Sequence, residues 1–212
     1  LTALPTLGYS KEASAFSAAS ALYAEGVARR LAEDPQLRSW AKEVLAGSDS
    51  VSTGSSYGKL LGRDSLLAKS PWATTLTDER EEEQKLARFL LATDRATTTD
   101  QLLKRLSDLQ GTDGLWSWYP GMKGSLYTTE YVLRILLRLS ATEGLEQALR
   151  LRLSSMIRRG IGALNAQAAK DLAEIQKSKR EKRLFIPHTG LDYLYLSALA
   201  KEQKLQSLSA EA

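Results

Sequence analysis

Three carboxylates, Asp108, Asp113 and Glu130, flank an aromatic cluster in which Trp116, Trp118 and Tyr119 fall within four positions. Carboxylates in facing pairs, roughly 5–10 Å apart, hydrolyse glycosidic bonds as acid and base or nucleophile, and aromatic rings hold the sugar beside them. The competing use of the same rings is packing. The stretch Gln110-Gly-Thr-Asp-Gly-Leu-Trp-Ser-Trp-Tyr-Pro-Gly121 ends a helical pattern and passes through an Asp-Gly turn before the aromatics begin. Gly111, Gly114 and Gly121 give the backbone freedom for tight turns. Rings beside such a turn act more often as wedges that clamp the next helix.

The remaining chemistry is sparse. Cysteine is absent, which removes disulfides, thiolate nucleophiles and Cys-based metal sites. The single histidine, His188, follows Pro187 at an expected helix start, where a capping or surface role accounts for it. Glu79, Glu81, Glu82 and Glu83 form an acidic cluster, but consecutive positions spread around a helix, so Asp78–Glu83 reads as a solvated first turn. No GxSxG, phosphate-binding glycine loop or HExxH occurs, and no catalytic, metal or cofactor residues are assigned. The net charge of +4 balances 29 basic against 25 acidic residues, with the excess gathered in Lys177-Ser-Lys-Arg-Glu-Lys-Arg183. No aromatics interleave that run, so it reads as a solvated helix end and not as a nucleic-acid site. No apolar run approaches the roughly 20 residues of a membrane span.

The elements that must position these groups are helices. Ser14–Glu33 carries Phe16, Ala19, Leu22, Tyr23, Val27 and Leu31 at helical spacing; Asp34-Pro35 breaks it, and Pro35 opens a second helix that stops at Gly47. A mobile loop is expected over about 47–58, then a short apolar element ending at Ser70-Pro71-Trp72. Thr77-Asp78-Glu79 opens a helix with Leu86, Phe89 and Leu90 inward, and Thr99-Asp100 caps another with Leu102, Leu103, Leu106 and Leu109 inward. Ser125–Leu139 reads as an inner helix. A longer one begins at Thr142-Glu143 and runs to about Asn165, with Ala166–Lys179 either continuing it or standing apart. Pro187 introduces the last, with Leu191, Leu194, Tyr195, Ala198 and Leu199 inward. Period-two runs of Val, Ile and Thr are missing. The fold class is all-α: an α/α toroid of antiparallel helical hairpins, shorter than a complete one, forming a single helical domain over 1–212. The opening Leu1-Thr-Ala-Leu-Pro reads as the middle of a larger multidomain protein.

Four ordered segments carry a family resemblance. Ser70-Pro-Trp-Ala-Thr-Thr-Leu-Thr-Asp-Glu-Arg-Glu-Glu-Glu-Gln-Lys-Leu-Ala-Arg88, Leu106–Gly121, Tyr127-Thr-Thr-Glu-Tyr-Val-Leu133 and Leu191-Asp-Tyr-Leu-Tyr195 together resemble the thioester domain of bacterial alpha-2-macroglobulins. In that family a Gly-Cys-x-Glu-Gln motif near the domain's start joins the Cys sulfur to the Gln side chain. The matching stretch here is Leu7-Gly-Tyr-Ser-Lys-Glu-Ala-Ser14, which places Ser10 at the Cys position, Lys11 at the variable one, Glu12 in register and Ala13 at Gln. An alternative register sets Tyr9 at Cys and Glu12 at Gln. Neither supplies a thiol, so no thioester forms. An engineered serine would explain the Cys position but not Ala13.

The resemblance implies a non-enzymatic structural and interaction domain of a protease-trapping inhibitor outside the cytoplasm, in the periplasm or cell envelope. Its partners would be other domains of the same polypeptide and target proteases, with a membrane reached only through a lipid anchor elsewhere and with no nucleic acid. Trapping would be non-covalent. Gln110, Asp113, Gly114, Trp116, Trp118 and Tyr119 would form a structural aromatic brace. The alternative is a toroid glycosidase or lyase using Asp113 or Glu130, and a third is a helical scaffold with a peptide groove. A terpene cyclase is excluded by the lack of an Asp-rich acid motif.

Overall fold

The computed structural model describes residues 3–9, 12–50 and 71–205, of which 48–50 and 71–80 by backbone alone. The protein is all-α. Among the described residues the helices are α1 (Ala3–Gly8), α2 (Ala15–Leu31), α3 (Pro35–Ser50), α4 (Pro71–Leu90), α5 (Arg95–Leu109), α6 (Leu126–Ser140), α7 (Gln147–Glu181) and α8 (Leu191–Glu202). They fall into two compact units, one of residues 1–9 and 24–96 and the other of residues 10–23 and 97–212, so that α2 contributes to both.

In the first unit α3 packs on α4, and α1 packs on α4 as well. Asp34 caps α3, its Oδ1 accepting from the Gln36 amide at 2.8 Å, and Pro35 occupies the first helical position, where its missing N–H costs nothing. The core is small: Ala24, Ala28 and Ala41 admit close approach, and Leu86, Phe89 and Leu90 fill the space. Gly8 is required there, because a Cβ on it would lie 2.3 Å from the Phe89 ring. Among the described residues of this unit one ion pair is buried. Arg95 Nη1 donates to Glu25 Oε2 at 2.6 Å, and Arg95 Nη2 donates to the Phe89 carbonyl at the end of α4. Burial pushes the Glu25 carboxyl above its ordinary range, and Arg95 only partly offsets it.

The second unit holds the larger core. Helix α6 packs on α7 and α8, and α7 packs on α8. Leu133, Leu136 and Leu137 of α6 meet Leu153, Ile157 and Ile161 of α7, with Leu102, Leu103 and Leu106 of α5 and Ala15, Ala18 and Ala19 of α2 in the same cluster. Ser125 caps α6, accepting from the Thr128 amide.

Several boundaries differ from the sequence expectation. Helix α3 continues through Gly47 to Ser50, because nothing in the glycine's surroundings forces a turn there. Residues 51–70, with the rest of the expected loop and the apolar element, lie outside the described residues. Pro71 opens α4 where it was expected to end an element, so Asp78–Glu83 fall about two turns inside that helix and are not its first turn. Helix α5 begins at Arg95, which puts Thr99 inside it, buried against the core and not capping. Helix α7 begins at Gln147, five residues later than expected, and runs unbroken to Glu181, since no Gly or Pro interrupts Ala166–Lys179. An unpredicted short helix, α1, precedes α2.

Helix α8 begins at Leu191, not at Pro187, and its inward face is rotated. Tyr193, Leu196, Ser197 and Ala200 are buried, while Leu191, Leu194 and Tyr195 are exposed. Apolar residues stand on every side of this helix, so the pattern has no phase of its own, and packing on α6 and α7 selects the face.

Candidate functional site

The loop between α5 and α6 is a hydrogen-bonded junction. Gln110 Nε2 donates to the carbonyls of Gly114 and Met156, both at 3.0 Å, tying the loop to the middle of α7. Gly111 N donates to Leu115 O at 2.8 Å, and Asp113 Oδ1 accepts from Leu115 N at 3.1 Å, closing an Asx turn. Gly114 has φ 84°, and a Cβ there would lie 2.4 Å from the Arg159 carbonyl oxygen of α7. Only glycine permits both the conformation and the approach. Trp116 is fully buried, its amide donating to Thr129 Oγ1 and its indole Nε1 to Leu106 O, each at 2.9 Å. Its ring reaches Gly160 of α7, where a Cβ would lie 2.6 Å from it. One residue thus bonds to α6 through its amide and to α5 through its indole, and packs its ring on α7.

Trp118 and Tyr119 have a different place from Trp116. They are 44% and 38% exposed, and their rings lie nearly parallel with centroids 6.4 Å apart. Phe16 of α2 carries Trp118 at 4.8 Å and also meets Tyr131 at 4.4 Å and Tyr127 at 5.8 Å. Helical spacing alone sets Phe16 on the inward face of its helix, and Tyr127 and Tyr131 stand in the sequence only within the segment 127–133 that carries the resemblance. Their signal was an aromatic at the start of two helices, legible only once the junction sets those starts side by side.

The segment matched to the thioester motif runs into this cluster. Ala15 N donates to Trp118 O at 2.9 Å, and Tyr119 OH donates to the Glu12 carboxylate. That bond holds the Tyr119 hydroxyl protonated above its usual range. Arg105 Nη1 donates to the Glu12 carbonyl at 3.1 Å. Glu12 and Ala13 are exposed, whereas Ser10 and Lys11 lie outside the described residues. Tyr9, the Cys position of the alternative register, packs edge-on against Phe89 at 5.3 Å in the first unit.

The three candidate carboxylates occupy separate environments. Asp108 borders an open depression of about 400 Å³ whose walls include Ala13, Lys104, Arg105 and Pro120, with no second carboxylate among its lining residues. Asp113 is used by its turn. Glu130 is half-buried on α6; burial first, and Asp192 of α8 second, raise its carboxyl, while Arg134 opposes them. Arg134 itself donates to Asp192, joining α6 to α8. Among the described residues no group of three His, Asp or Glu is arranged to hold a metal, and no helix is long and apolar enough to cross a membrane.

His188 lies in the segment between α7 and α8 and not at a helix start. Its Nδ1 is 3.1 Å from Oδ1 of Asp171, a buried carboxylate that also accepts from Gln167 Nε2 at 2.9 Å and from Thr189 N at 2.7 Å. Burial opposes ionisation of Asp171, but these donors outweigh it and bring the carboxyl down to about 2. A depressed carboxyl stabilises the fold above its unfolded value and loses that contribution only as pH falls toward 2, so the clamp is complete at neutral pH. Compared with protein-family models, with curated proteins and with solved structures, the chain has no match.

Proposed function

We propose that the chain is a structural and interaction domain of a bacterial alpha-2-macroglobulin-like protease-trapping protein that works without a thioester. The observation that carries this reading is the attachment of Glu12–Ala15 to Trp118 and Tyr119 in a chain that has no cysteine. The segment resembling the reactive motif keeps its seat on an aromatic surface but has no bond to offer. What remains usable is the surface. Tyr and Trp rings that are half-exposed and held rigid by their neighbours give large contact area at small entropic cost.

On this reading the domain is a shortened helical toroid acting outside the cytoplasm. Trp118, Tyr119 and Phe16 dock it against other domains of the same polypeptide, and captured proteases are retained by shape and apolar contact alone. The glycosidase alternative gains no support from these carboxylates: no second carboxylate lines the depression beside Asp108, Asp113 is used by its turn, and Glu130 is half-buried on α6.

The test is a shielding assay on the full protein. After mixing with an endopeptidase, hydrolysis of a protein substrate should fall while hydrolysis of a small peptide substrate persists. The protease should then be released intact by denaturant. An adduct that survives denaturation, or protein substrate cleaved at the free rate, would contradict the proposal.

A further inference from the structure

The end of α7 and the segment after it combine charge and apolar surface in a way that the docking surface above does not use. Lys177, Lys179, Arg180 and Lys182 are exposed and join no salt bridge among the described residues, while Arg183 is occupied by Glu174 and Glu181. Directly beyond them Leu184 is 89% exposed and Ile186 is 75% exposed. Cations at a helix C-terminus suit the helix dipole. The dipole does not account for two large aliphatic side chains held in water beside them.

The segment is built to present those side chains. Lys182 ends α7 in the left-handed conformation at φ 53°, and Arg183 N donates back to Ser178 O at 3.0 Å. Pro187 keeps Ile186 out of helical geometry. At the far end His188 and Thr189 are fastened to Asp171 of α7. Between these anchors Phe185 is half-buried with its ring 6.2 Å from that of His188, while Leu184 and Ile186, on either side of it, are exposed. Both ends of the strap are therefore fixed on one helix, and little ordering remains to be done on binding.

We propose that this strap is a docking surface for an anionic lipid bilayer, with Leu184 and Ile186 entering the interface and the unpaired cations around the end of α7 supplying the attraction to the headgroups. Exposed aliphatic side chains beside a cluster of unpaired cations are the combination that peripheral membrane contact requires, each part being weak alone. The proposal is independent of the alpha-2-macroglobulin reading and of the aromatic surface.

The experiment is co-sedimentation of the chain with vesicles of phosphatidylcholine alone or mixed equally with phosphatidylglycerol, at low and high salt. Binding should be confined to the anionic vesicles and be lost at high salt as screening shortens the reach of the lysines. Leu184→Ser with Ile186→Ser should weaken it about tenfold or more. Lys177→Gln, Lys179→Gln and Arg180→Gln together should weaken it roughly a hundredfold, at about fivefold per charge. All these positions are exposed, and circular dichroism checks that the variants stay folded. Absence of binding, equal binding to neutral vesicles, or indifference to either set of changes overturns the proposal. So does capture by polyglutamate, in place of vesicles, with the same dependence on these residues, which would assign the strap to an acidic protein.

Discussion

Replacing Trp116 by alanine should cost the second unit roughly 3–5 kcal/mol, the range for removing a fully buried aromatic from a packed core. The void would open where α5, α6 and α7 meet, beside Gly160 and Leu133. Three close-packed helices cannot collapse into it without losing their other contacts. The change also strands the Leu106 carbonyl, which now accepts from the indole at 2.9 Å. Trp116→Phe keeps most of the packing and loses that bond, and should cost less than half as much. Urea unfolding followed by far-ultraviolet circular dichroism measures both. A loss below about 1 kcal/mol for the alanine variant would show that Trp116 fills space without bracing anything.

Arg95→Met should destabilise the first unit by about 3–5 kcal/mol at neutral pH, because it leaves Glu25 buried without a partner. It also removes the guanidinium from the Phe89 carbonyl and from the Phe89 ring face, 5.2 Å away. The effect carries a pH signature. The folded Glu25 carboxyl already titrates above its unfolded value because burial disfavours its charge, and without Arg95 it would titrate higher still. A raised carboxyl is tolerated below its unfolded pKa and penalises folding as pH rises through the folded one. The deficit of Arg95→Met should therefore shrink as pH is lowered from neutrality toward the ordinary Glu range. The double variant Arg95→Met with Glu25→Gln should recover much of the loss at neutral pH. Unfolding midpoints across that pH range decide it: a deficit that is constant or grows on acidification contradicts the account.

Sequence periodicity located most helices because their apolar stripes are one-sided. Leu102, Leu103, Leu106 and Leu109 of α5 are expected inward and are buried; of the stripe Leu145, Leu149, Leu153, Ile157, Ile161 and Leu164, all but Leu145, which precedes α7 and is half-buried, lie in the core. It failed where the stripe has no side. The apolar ring of α8 left its phase to be chosen by α6 and α7, and exposed Leu194 where Leu196 was needed. Breaker residues do not by themselves end a helix: Gly47 lies inside α3, and Pro71 begins α4.

At the junction the Asp-Gly turn was legible and the division of labour among its rings was not. Trp116 and Trp118 are two positions apart in a loop without regular structure. Which of them enters the core is set by the bond from Trp116 N to Thr129 of the following helix and by the bond from Ala15 N, distant in sequence, to Trp118 O. Phe16 and Tyr127 joined the surface for the same reason.

The central claim, that Trp118 and Tyr119 are a docking surface and not part of the core, is tested most directly by hydroxyl-radical footprinting of the full protein, with buried Trp116 as internal standard. If the aromatic surface is covered by another domain, Trp118 should be oxidised about as slowly as Trp116. If Trp118 is oxidised many times faster than Trp116, as its open position in this chain alone would allow, the surface is unoccupied and the proposed role is wrong.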